Sequence, residues 1–198
     1  MDPRRRTLGA LAVALSVAGC GATADDDDVD PRVDAAPPGD ARPITCDNSP
    51  PAWVGRCEIA GTGEHCTGVP GEERVFVELG TSDDMYMVLG PQGARMFVLA
   101  VRTQDIYPGD PDEPASPDNP EVDLRLGRAD VGTEIARYRG RPLFSPGDPG
   151  MLDAAGLFVI IDGTGGTLVG EQLLVGAEVV DRDGEFRCGT ATFRAMGP

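Results

Sequence analysis

The sequence predicts an all-β fold, a single antiparallel β-sandwich of immunoglobulin-like layering spanning residues 46–198. Three observations predict it. From Cys46 onward, apolar residues come in short runs, several alternating with polar ones at the period of a half-buried strand. Gly, Pro and Asp separate these runs at fairly regular spacing, as turns would. No stretch carries the spacing of an amphipathic helix. About eight strands are expected, and roughly 150 residues suffice for one domain with a real core.

The chain begins differently. Arg4, Arg5 and Arg6 precede an apolar run from Leu8 to Ala18, with small residues after it. A membrane-spanning helix needs roughly 20 apolar residues, so this run is too short to span a bilayer. Asp25-Asp26-Asp27-Asp28 follows it closely and would not sit in hydrocarbon.

The stretch Val17-Ala18-Gly19-Cys20 resembles the lipobox of bacterial lipoproteins. The resemblance implies a signal peptide over residues 1–19, cut between Gly19 and Cys20. It also implies lipid on the Cys20 sulfur and acyl chains such as palmitate on the new amino terminus. Two or more chains give stable membrane attachment where one gives only marginal binding. Gly21 rather than an aspartate follows Cys20, which points to the outer membrane of a Gram-negative cell envelope. The implied membrane contact is the lipid on Cys20.

Composition narrows the partners. The chain has 17 basic and 33 acidic residues, every basic one an arginine. Removing residues 1–19 takes out three Arg and one Asp, which leaves 14 against 32 and a charge of −18. Nucleic acid is excluded as a partner, because phosphate binding needs a basic patch. Anionic lipid is excluded on the same ground. Residues 20–45 are the lipidated Cys and a linker of mostly Asp, Ala, Pro and Gly, with too little to bury to offset their ordering entropy. A disordered tether of this length spans roughly 25–30 Å end to end.

With Cys20 set aside, Cys46, Cys57, Cys66 and Cys188 remain. An even set in an exported chain reads as two disulfides, with three possible connectivities. The favoured one joins Cys57 to Cys66 and Cys46 to Cys188. No C-x-x-C knuckle is present and His65 is the sole histidine, so no metal site is expected.

The strands follow in order. Arg74 to Leu79 alternates, with Val75, Val77 and Leu79 on one face. Asp84 to Leu89 is the next strand, and Gly90-Pro91-Gln92-Gly93 turns it into an antiparallel partner over 94–103. Residues 105–120 carry five prolines and exclude helix and central strand alike, which reads as a mobile acidic loop. Glu121 to Leu126 alternates, placing Val122, Leu124 and Leu126 inward, and 132–139 follows. Leu157-Phe158-Val159-Ile160-Ile161 is continuously apolar and reads as a strand buried on both sides. Residues 171–195 form a hairpin turning at Asp181-Arg182-Asp183-Gly184. Trp53, beside Pro50-Pro51, falls before the first expected strand.

The segment Val88-Leu89-Gly90-Pro91-Gln92-Gly93 is similar to a strand-turn motif in uncharacterised lipoproteins of myxobacteria. That resemblance implies no mechanism. Those lipoproteins have a histidine after the turn, and here Ala94 and Met96 stand in that region.

Catalytic signatures are missing from the sequence. His65 lies beside a disulfide cysteine, no G-x-S-x-G elbow occurs, and no glycine-rich loop joins a strand to a helix. The expectation is therefore not an enzyme but a membrane-anchored envelope module, without cofactor, that binds an envelope protein or glycan. The candidate partner loop carries Tyr107, Asp110, Asp112, Glu113 and Asp118. Two alternatives are a calcium-stabilised adhesion or sensing domain and a small carboxylate-dependent hydrolase.

Overall fold

In the computed structural model, which describes residues 44, 46–47, 49–64, 66, 73–90, 92–161 and 167–198, the short runs become strands. In chain order they are β1 (Trp53–Ile59), β2 (Arg74–Glu78), β3 (Asp84–Tyr86), β4 (Val88–Leu89), β5 (Arg95–Thr103) and β6 (Glu121–Arg128). Then come β7 (Glu134–Gly140), β8 (Ser145–Pro146), β9 (Leu152–Ile161), β10 (Gln172–Val180) and β11 (Phe186–Met196). The expected signal peptide with Gly19, Cys20, His65 and all of the expected tether but Ile44 lie outside the described residues.

The strands make two sheets. The first runs β2-β1-β5-β9-β8, with β4 also paired to β5; the second runs β3-β11-β10-β6-β7. Their facing sides share one apolar core. β6 gives Val122, Leu124 and Leu126, and β10 gives Leu173, Val175, Ala177 and Val179, all fully buried. From the first sheet come Phe97, Leu99 and Val101 of β5 and Leu157, Val159 and Ile161 of β9. Phe97 meets Phe193 of β11 edge to face across the core, with ring centroids 5.1 Å apart.

Several expectations are corrected. The segment 84–89 is two strands, because Met87 turns inward and its N–H donates to the Met196 carbonyl at 3.1 Å. Only Val88 and Leu89 pair antiparallel with β5. Asp84 to Tyr86 instead pairs parallel with β11, so the second sheet is not purely antiparallel. Trp53 belongs to β1, a strand whose Gly55 interrupts any apolar alternation.

β9 is not buried on both sides. Its inward residues are buried, but Phe158 and Ile160 point outward and are 52% and 48% exposed. Gly156, at φ 73°, is the extra residue of a bulge where the β5–β9 register shifts. The bulge lets β9 begin at Leu152, five residues before the apolar run.

Just before Cys46, Ile44 is buried against Gly176 on the outer side of β10. The chain then meets β11, where Pro50 accepts from the Cys188 N–H and Cys188 accepts from the Ala52 N–H. One residue later it enters β1 in the other sheet. Gly189 allows this approach, since a Cβ there would lie 1.7 Å from the Ala52 carbonyl oxygen.

Candidate functional site

The loop over 104–120 leaves β5 at the end of the two sheets where 141–151 and 181–185 also turn. Hydrogen bonds within the loop close it into a series of turns. Successive turns bond Glu113 N–H to Asp110 O, Ser116 N–H to Glu113 O and Asn119 N–H to Ser116 O. Asn119 is fully buried at the centre: its Oδ1 accepts from the Asp110 N–H at 3.0 Å, and its Nδ2 donates to the carbonyls of Glu113 and Pro114. Prolines forbid a ladder here, and an asparagine side chain supplies the missing backbone partners.

Two buried charges fix the loop to the hairpin. Asp181 accepts the N–H groups of Tyr107 at 2.8 Å and of Asp183 and Glu185 at 2.9 Å each. Burial pushes the Asp181 carboxyl up, but these three donors and nearby Arg187 outweigh it and hold it below the usual range. Arg187 donates to the carbonyls of Gln104 and Asp105. Asp105, at φ 54°, is the sole non-glycine residue with positive φ among the described residues. The guanidinium therefore holds the strained entrance of the loop.

The candidate partner residues divide. Asp112, Glu113 and Asp118 are exposed on the rim, whereas Tyr107 and Asp110 are half-buried. Arg182 stacks over the Tyr107 ring at 3.7 Å. Arg141 donates to the carbonyls of Pro117 and Asn119. This surface is a mainly acidic rim with one aromatic–guanidinium stack. No family model and no curated protein matches the chain.

Among the described residues, no three of His, Cys, Asp or Glu come together in a way that could hold a metal ion. The carboxyls with a resolved shift, Asp84, Asp123 and Asp181, all move downward.

The outer faces of the two sheets differ. On the second sheet Asp123 is buried between Arg125 at 2.9 Å and Arg137 at 2.6 Å, and Arg125 also reaches Glu178. Burial pushes the Asp123 carboxyl up, and the two arginines overcome it. On the first sheet the outward strand positions are mostly apolar, and Phe76 lies against Gly55 with the Arg102 guanidinium 4.4 Å from its ring centre. Arg102 is bidentate to Asp153 and also bonds Asp148; the Asp153 bonds hold it protonated more firmly than usual against the opposing effect of burial.

The structure joins Cys46 to Cys188 and Cys57 to Cys66. Sequence reasoning singled out Tyr107 and the rim acids but not Asn119, Asp181 or Arg187, which build the loop. Asp181 could have been found as a turn-opening Asp before Asp-Gly. Nothing local marks Asn119 or Arg187.

Proposed function

We propose that this chain is a lipid-anchored, non-catalytic envelope module whose loop end contacts a protein or glycan partner. One observation carries the anchoring half. Cys46, Cys57, Cys66 and Cys188 are all spent in disulfides, which leaves Cys20 as the one cysteine outside the folded pairs. Disulfides belong to an oxidising compartment, in agreement with export by the lipobox signal. The decisive experiment is radioactive fatty-acid labelling of the wild-type chain and of Cys20→Ala. Label is expected only on the wild type, and label retained on the variant would overturn the reading.

The binding half rests on the loop end being built rather than loose, since a preorganised surface loses less entropy on binding. Replacing Asp112, Glu113 and Asp118 together by Ala leaves the buried Asn119 hub intact and changes the exposed rim alone. We read the layering as immunoglobulin-like on the support of two facing sheets around one core. The tryptophan–disulfide pairing of antibody domains has no counterpart in that support, since Trp53 lies opposite Arg102 on an outer face.

A further inference from the structure

The outer face of the first sheet has a composition unlike the rest of the molecule. Cross-strand register places Val88, Met96 and Ile160 in one row, Val98 and Phe158 in the next, and Ala100 with Ala155 beyond them. None of these seven positions is ionisable, in a chain of formal charge −16. The charges on this face border that patch: Arg102 is paired with Asp153 beyond Ala100 and Ala155, and Arg74 and Glu78 lie on the edge strand β2. Met96 and Ala100 are buried yet lie outside the main core, so this face has a small apolar layer of its own. Phe158 and Ile160 stand out from it, about half exposed.

The mature chain has little of its own to cover them. Outside the described residues, 162–166 read Asp-Gly-Thr-Gly-Gly, and the largest apolar side chains of the mature chain there are Val29, Val33 and Val69. A second copy or another protein fits poorly, since a stable interface takes about 20–30 residues a side and two acidic copies repel. An uncharged lipid surface fits. It needs no matching shape, it rewards two protruding apolar side chains, and it meets no ionisable group at these seven positions.

We propose that Phe158 and Ile160 insert into the headgroup–acyl boundary of the membrane that holds Cys20, laying the outer face of the first sheet on the bilayer. The inference rests on the lipid-anchor reading. Two side chains alone would bind weakly, but a tethered surface works at an effective concentration on the order of millimolar. The tether allows it. Its 24 residues before Ile44 reach at most about 80 Å when extended, enough to pass around a sandwich whose sheets pack about 10 Å apart. Ile44 sits on the opposite face, so the chain would leave from the side away from the lipid.

The test uses the full lipidated chain on neutral phosphatidylcholine vesicles with brominated acyl chains, which quench tryptophan. Phe158→Trp and Thr190→Trp are each made in a Trp53→Phe background, Thr190 being exposed on the outer face of the second sheet. Flotation with the vesicles is scored first. At a depth of roughly 5–10 Å, the tryptophan of Phe158→Trp is expected to lose about half its emission, while that of Thr190→Trp stays bright. Flotation with equal emission from both overturns the inference and leaves the anchor standing. Emission that follows protein density rather than bromination assigns the face to a second copy and overturns it too. Failure to float removes the anchor reading and this one together.

Discussion

The Asp181 carboxylate accepts the Tyr107 N–H at 2.8 Å across 74 residues of sequence, and so joins a hairpin turn to the longest loop of the domain. The same side chain closes its own turn through Asp183 and Glu185. One buried charge thus organises two segments at the candidate site.

Asp181→Asn should destabilise the domain by about 2 kcal/mol at neutral pH, because an amide donor replaces part of an acceptor facing three N–H groups. The folded carboxyl titrates below its unfolded value of about 3.9. Its stabilisation is therefore complete above that value and is lost as pH falls toward the folded one. Urea unfolding across pH should show the gap between wild type and variant at pH 6 and its closure in acid.

Gly189→Ala should cost about 3 kcal/mol or more, since the new methyl meets the Ala52 carbonyl and not a flexible side chain. Hydrogen exchange at the Ala52 and Cys188 amides should accelerate before the rest of the sheet. Gly132→Ala is the control. Its Cβ meets nothing within 4 Å, so only the φ of +67° is penalised, by about 1 kcal/mol.

The two disulfides should differ in weight. Cys46–Cys188 spans 142 residues and Cys57–Cys66 spans 9. The chain-entropy relation gives about 5 kcal/mol for the first and about 2.5 kcal/mol for the second. Paired Cys→Ala variants compared by denaturant midpoint test the ranking, and equal losses would contradict it.

Asp123→Ala removes the shared partner of Arg125 and Arg137 on the second sheet. Arg125 keeps Glu178, and Arg137 is already 41% exposed, so neither guanidinium is trapped. The expected loss is about 1–2 kcal/mol, below that of a fully buried broken pair. Asp123 is also held below its ordinary range, so this loss shrinks as pH falls through the same acidic window. Denaturation at two pH values checks both.

The all-β class and the inward residues of β6 and β10 are legible in the residues alone, because a period of two fixes which side chains share a face whatever the partner strand. So is the hairpin at Asp181–Gly184, where Gly184 sits at φ 81°, a local requirement met by a local residue. Where strands pair was decided only in three dimensions. Asp84 to Leu89 reads as one strand, and Met87 divides it because each half finds its partner in a different sheet. Leu157 to Ile161 reads as buried on both sides, but burial depends on what packs above, and Phe158 and Ile160 are left open. The candidate loop was legible from its prolines and acids alone. Its architecture was not, because Asn119, Asp181 and Arg187 satisfy backbone groups that are distant in sequence and become neighbours only when both sheets have formed.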